Sequence, residues 1–449
     1  MWWLKMIIYF ISILTPGLLL VRVLRQSRPW LTVFNICLAY ALGSSFVTII
    51  LFFYFFIFRL SYSPGLFWSV WLLTGCLAVG VMISKNTLGR VDNTQTIKSR
   101  LTSMQLAAVI IILVFSAVNL SFLFSHAAVR PAALYDSLAM WSFKAKVLFY
   151  EQKINFDPTQ DFYLGGGGHL NYPWQIPLAQ YWLQVNLGVY DDLAANWIFV
   201  GYFLSLIGLV FFGLKRYIGS WRALILAFFL FSMPLVWHHG FNAYADLPLA
   251  LYLTGAVTFF YAWLKDKQRE DLILAAIFWG LSFWVKDGAW FLYLAFLLVF
   301  FGYCLKKCLS WSAFSKFILI SIASASPWLL FRAFYHLGLS NVSVGLVFKP
   351  EILISVLETM FVSYSWNLWW FFLLIAIFFN FKRISGSSAL IFIWSFLGLG
   401  LLSLILVYLL TMNYQYALDQ TALSRTLLSL IGVSVLAVGF SFNEAHSDY

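Results

Sequence analysis

Long apolar runs separated by short polar breaks dominate this chain, and their length decides what they are. Runs near 6–21, 30–58, 66–84, 104–126, 194–214, 222–240, 246–263, 272–285, 289–303, 316–337, 366–380, 388–411 and 426–441 predict about thirteen membrane-spanning segments. Most last fifteen residues or more, whereas barrel strands would alternate over short segments, so the spans read as helices. One long interruption, residues 127–192, carries Asp136, Lys144, Lys146, Glu151, Asp157, Asp161, four consecutive glycines at 165–168, His169 and the Tyr172-Pro173 pair. Inside it, residues 138–150 predict an amphipathic helix lying on the membrane surface, with Trp141, Ala145 and Leu148 on one side. The glycine run reads equally as a gate or as a plain flexible linker. The expected fold is an all-α polytopic membrane protein with a large external loop bearing juxtamembrane helices.

Composition makes the membrane reading firm. Residues are 62% hydrophobic and only 10% charged, against about 25% charged in a soluble domain. The 47 Phe, 23 Tyr and 21 Trp suit lipid-facing helices with interfacial belts. A net charge of +11 does not indicate nucleic acid, because the Lys and Arg residues stand in small clusters between apolar runs. Those clusters follow every second span: Arg22, Arg25 and Arg28; Lys85, Arg90, Lys98 and Arg100; Lys215, Arg216 and Arg222; Lys265, Lys267 and Arg269; Lys306 and Lys307; Lys382 and Arg383. One orientation satisfies them all, with the N-terminus outside and the C-terminus in the cytoplasm. Lys5 alone is a weak signal-peptide start and no small-residue cleavage pattern follows, so the first run is kept as a span. Of the four cysteines, Cys37, Cys76, Cys304 and Cys308, none falls in the long loop, and no external disulfide framework is indicated. The weakly apolar basic stretch 85–100 divides the chain into a three-span extension (1–103), a core with the long loop (104–303) and a C-terminal set of spans with the loop 338–365 (304–449). These features fit a bacterial inner-membrane protein.

The orientation puts the chemistry-bearing residues on one side. Loop 127–192, the tips 238–246 and 286–288, loop 338–365 and segment 413–425 all fall outside, and the cytoplasmic loops are short and merely basic. Asp136 is a candidate general base, since a partly desolvated carboxylate has a raised pKa, or it is an N-cap for the helix that follows. Lys286 and Asp287 end an apolar run of roughly 14 residues, about 21 Å of helix, which places them at membrane depth. A charged pair there is costly and usually serves a cavity, and a lysine just below the outer surface suits a lipid-linked phosphate; the alternative is a self-satisfied pair that snorkels. Asp246 lies at the same level, where it can orient a sugar hydroxyl or pair with Lys286. His239, Tyr172 and Lys144 are further candidates for substrate contact, and Arg425 for phosphate or for interfacial anchoring. His126, His169, His238, His239 and His336 share the outer side without metal-ligand spacing, so neither a divalent metal nor another cofactor is indicated. Glu151, Asp157, Asp161, Asp191 and Asp192 read as solvated loop groups. No P-loop, GxSxG, HExxH or Rossmann pattern stands in a supporting context.

Taken together, the aspartate after a span, the stretch Tyr172-Pro173-Trp174-Gln175-Ile176-Pro177-Leu178-Ala179-Gln180-Tyr181-Trp182-Leu183, the tip Tyr244-Ala245-Asp246-Leu247-Pro248 and the tip Phe283-Trp284-Val285-Lys286-Asp287-Gly288 form a pattern. It resembles the GT-C glycosyltransferases, particularly the protein O-mannosyltransferase and lipid A aminoarabinose transferase branch, over roughly residues 104–300. The resemblance implies an enzyme that takes a sugar from a polyprenyl-phosphate donor and transfers it outside the membrane to a glycan, lipid or protein. It implies Asp136 as the base and Lys286 as a partner of the donor phosphate. Two features differ from that family: three extra spans precede the one that the loop follows, where the family's loop follows its first span, and Ser137 follows Asp136 where a second acid is usual. A transporter or flippase is the competing class, but it predicts ionisable residues spread through several spans and inverted repeats. A polysaccharide polymerase or ligase would lean on Arg and His in a late loop, and 338–365 holds only Lys349 and two glutamates.

Overall fold

A computed structural model describes residues 2–25, 32–58, 60, 63–83, 102–131, 134–152, 171–338 and 346–442. The glycine run 165–168, His169, Asp157, Asp161 and the basic linker therefore lie outside the described residues. Helices account for nearly all of the described chain, and eight of them are long and apolar enough to cross a membrane. Shorter apolar helices, among them Ala289–Leu305 and Ile431–Ser441, accompany them. The all-α polytopic expectation holds. The chain divides into two compact units, Met1–Ser205 with His239–Ala245 and Pro327–Leu337, and Leu206–His238 with Asp246–Ser326 and Gly338–Tyr449.

The first unit is built on α1 (Trp2–Leu24), α2 (Val33–Phe52), α3 (Pro64–Ile83), α4 (Ser103–Val129), α5 (Phe143–Glu151), α6 (Gln175–Leu187) and the start of α7 (Asp192–Ser232). Thr32 begins α2 by accepting the Asn35 N–H at 3.2 Å, and Thr102 and Gln105 form a reciprocal capping box at the start of α4. At the crossing of α1 and α2 the backbones nearly touch: a β-carbon on Gly17 would sit 1.9 Å from the Ala39 carbonyl oxygen, and one on Gly43 equally close to that of Ile13. Helix α6 packs on both. The Trp182 indole donates to Ser12 at 2.8 Å, and the Gln175 amide to Ser45 and Tyr202 at 3.2 and 3.3 Å. Gly188 ends α6 at φ 72°, a left-handed cap that glycine takes without strain. By contrast, only 6% of the most apolar window of α4 is buried, so that span presents almost its whole surface outward.

The second unit holds the rest of α7, which breaks at Gly219 (φ 78°, ψ 167°) into the two spans expected there. It continues with α8 (Pro234–His239) as far as His238, α9 (Asp246–Asp266), α10 (Arg269–Val285), α11 (Ala289–Leu305), α12 (Trp311–Phe334) as far as Ser326, α13 (Ile352–Leu357), α14 (Trp369–Gly386), α15 (Ser388–Leu410), α16 (Tyr414–Leu418), α17 (Leu423–Leu428) and α18 (Ile431–Ser441). Helix α9 is its axis, with 94% of its most apolar window buried, and it is apolar on every side because every side meets another helix. Phe260 of α9 meets Phe296, Phe300, Phe317 and Phe392 with ring centroids 4.7–5.8 Å apart. Helices α10 and α11 are 17 residues each, about 26 Å, still short of a full hydrocarbon core.

Candidate functional site

In the second unit three helix ends meet at Asp246. This aspartate opens α9, where the helix dipole favours a negative charge, and Lys286 closes α10, where it favours a positive one. The Lys286 ammonium lies 2.6 Å from the Asp246 carboxylate, whose side chain is only 3% exposed while that of Lys286 is 22% exposed. Asp287 follows, 5% exposed, with its carbonyl accepting the Trp290 N–H at 3.0 Å as α11 begins. The expected pairing of Asp246 with Lys286 is thus what the structure shows, and Lys286 keeps an open side.

Arg425 comes from α17 and donates through Nε to the Thr421 carbonyl at 2.9 Å. Tyr408, at the last turn of α15, stands beside it: its hydroxyl pairs at 2.5 Å with Oγ1 of Thr426, the residue after Arg425. Tyr408 is 6% exposed and escaped the sequence reading, because a tyrosine at a span end looks like any interfacial aromatic. Lys349 reaches over the Tyr414 ring at 5.2 Å, after the strand-like stretch in which Val347 and Lys349 donate to the Leu410 and Leu409 carbonyls.

The other candidates lie in the first unit. Asp136 is half-buried and stands before a π-helical turn, Ser137–Ser142, that runs into α5. Its backbone is already helical (φ −64°, ψ −35°) and its side chain makes no capping hydrogen bond, so the N-cap alternative does not hold. Helix covers the expected stretch 138–150, as the π-turn followed by α5, with Trp141, Ala145 and Leu148 buried. Lys144, 1% exposed, is buried on it too; its ammonium donates to the Tyr172 carbonyl at 3.4 Å and lies 5.0 Å from the Trp174 ring centre. Tyr172 also receives the edge of Trp141 at 5.4 Å. His239 is buried against Tyr244, ring centres 5.0 Å apart, while the His126 ring meets Phe241.

One group departs from expectation. Asp191 is no solvated loop carboxylate: it accepts from the Trp2 indole at 3.0 Å and from the Leu193 and Ala194 N–H groups, which starts α7. Beside it, burial and the neighbouring Asp192 and Tyr150 push the Tyr190 phenol well above its ordinary pKa. It stays protonated and donates to the Ser142 carbonyl at 3.2 Å. Among the described residues no three His, Cys, Asp or Glu side chains gather as a metal site would need.

Residues 177–331 match the Dolichyl-phosphate-mannose-protein mannosyltransferase family. The family belongs to the GT-C superfamily, and the matched stretch contains Asp246, Lys286, Asp287 and His239 but not Asp136, Tyr172, Lys144 or Arg425. No curated protein and no solved structure matches the chain. The match and the apolar helices together support an integral membrane glycosyltransferase of the GT-C type.

Proposed function

We propose that this protein moves a sugar from a polyprenyl-phosphate donor to a glycan, lipid or protein acceptor on the extracytoplasmic face of a bacterial inner membrane. The observation that carries the reading is the buried Lys286–Asp246 pair at two helix ends within the family-matched stretch. In that role the donor phosphate competes with Asp246 for the Lys286 ammonium. Arg425 supplies further positive charge, and Asp246, Asp287, His239, Tyr172 and Lys144 contact the substrates. The bond from the anomeric carbon to the phosphate oxygen breaks as the acceptor oxygen attacks from the opposite face. Its electrons leave with polyprenyl phosphate and the configuration inverts. Such a leaving group needs charge stabilisation more than a proton, which suits a lysine and an arginine. Asp136 acts as the base that takes the acceptor's proton, a role worth roughly 10²–10⁴ in rate.

The test is transfer from a radiolabelled panel of polyprenyl-phosphate sugars by purified protein, wild type beside Asp136→Asn. Turnover lost in the variant with donor binding retained supports the assignment. A wild type that releases no polyprenyl phosphate, with glycan, lipid and peptide acceptors present, turns the reading towards transport.

A further inference from the structure

The π-turn after Asp136 carries a feature that the reaction sketched above does not use. In an α-helix, residues five apart lie about 140° apart around the axis. The wider π-turn, in which the Phe143 N–H bonds to the Leu138 carbonyl five residues back, brings Ser137 and Ser142 onto one buried side with Trp141. Both serine hydroxyls are closed to solvent and have no hydrogen-bond partner among the described residues. The same holds for Gln180 of α6, whose amide nitrogen and oxygen are both buried and both without a partner among the described residues.

Helix α6 packs on the π-turn and α5 as well as on α1 and α2. Gln175 and Trp182 point to the α1–α2 side, since they bond Ser45 and Ser12. Gln180 stands about 140° and 160° around the helix from them, on the side of Gln184. Gln184 bonds the Asp191 backbone in both directions at 2.9 Å, and the adjacent Tyr190 bonds Ser142. That side of α6 is therefore the one turned to the π-turn. A buried carboxamide and two buried hydroxyls without partners are destabilising, and folded chains keep few of them. Their groups, two hydroxyls and a carboxamide that both donates and accepts, are those that hold the vicinal hydroxyls of a sugar ring.

We propose that Ser137, Ser142 and Gln180 form a sugar-hydroxyl subsite beside Asp136, which opens to take a saccharide and gains from it the hydrogen bonds its side chains lack in this structure. The proposal rests on the transferase reading for its substrate class, and a saccharide can reach it as donor sugar or as acceptor glycan.

The full-length protein in nanodiscs separates the outcomes. Melting is followed for wild type, Gln180→Met and Ser137→Ala/Ser142→Ala, alone and titrated with polyprenyl-phosphate mannose, glucose and N-acetylglucosamine or with the corresponding free oligosaccharides. Without ligand, both variants are expected to melt at or above the wild-type temperature, because an apolar group replaces a polar one that has no partner. With ligand, the half-saturating concentration is expected to rise about tenfold for the probe that occupies the subsite, which also tells donor from acceptor. Melting below wild type without ligand would show that these groups have structural partners and would overturn the subsite, as would an unchanged half-saturation or a wild type that no probe shifts. Release of polyprenyl phosphate is scored separately. Turnover with unchanged half-saturation in Gln180→Met sinks the subsite and leaves the transferase, whereas a lost shift without any release keeps the subsite and sinks the transferase.

Discussion

Lys286 and Asp246 show why one ion pair can serve two ends. Burying a carboxylate is costly unless a cation compensates it, and breaking such a pair from one side typically costs on the order of 3 kcal/mol. Lys286→Met removes the ammonium that pairs with buried Asp246 and is expected to lower both the melting temperature and transfer. Adding Asp246→Asn removes the buried charge that this ammonium compensated, so Lys286→Met/Asp246→Asn is expected to recover most of the melting temperature while transfer stays lost. Thermal melts beside transfer rates check this; recovery of transfer in the double variant would mean that the pair is only structural. Tyr408 gives a finer test. Tyr408→Phe removes the hydroxyl from Thr426, which keeps its own bond to the Ala422 carbonyl, so a stability loss of about 1 kcal/mol is expected. The donor KM is expected to rise with little change in kcat, read from initial rates over a donor titration. Of these residues the sequence announced Lys286 and Asp246, because charges at membrane depth are rare enough to stand out. It was silent on Tyr408, one of 23 tyrosines in a chain where aromatics are ordinary.

Elements are legible when their pattern repeats and hidden when it does not. The apolar runs are long enough that each carries helix, eight of the helices being long and apolar enough to cross a membrane, and the spacing of Trp141, Ala145 and Leu148 gave the buried side of the stretch made by the π-turn and α5. The π-turn before α5 was invisible, since a single extra residue leaves no period to read in so short a stretch. Helix α13, six residues inside the 338–365 loop, escaped for the same reason. The close approach of α1 and α2 was also unreadable, because Gly17 and Gly43 look like any glycines in apolar helices until the backbones are seen to meet. That contact makes its own prediction. Gly43→Leu is expected to drive α1 from α2 and loosen the seat of α6, seen as a lost monodisperse peak on gel filtration and a red-shifted tryptophan emission. Gly75→Ala, in α3 with nothing near its β-position, is expected to behave as wild type.

At the scale of the whole molecule, the pattern that organises the chain is electrostatic. The basic clusters recur every second span, and the proposed orientation, with those clusters in the cytoplasm, leaves Asp246, Lys286 and Arg425 at helix ends on the opposite side. The division into two compact units, by contrast, cuts through α7 and α12, and no change of composition marks those places. The orientation can be tested with a thiol the chain already carries. Cys37 and Cys304 are buried, and Cys76 lies within apolar α3, whereas Cys308 is exposed beside Lys306 and Lys307 at a basic helix end. Cys308 is expected to resist a membrane-impermeant maleimide on intact cells and to react once the membrane is opened. A cysteine placed at exposed Tyr416, in α16 near Arg425, is expected to do the reverse and react on intact cells. If the two labelling patterns are exchanged, Lys286 and Arg425 face the cytoplasm. The donor would then have to present its phosphate on that side, and the extracytoplasmic transferase reading would fall even with every residue-scale result intact.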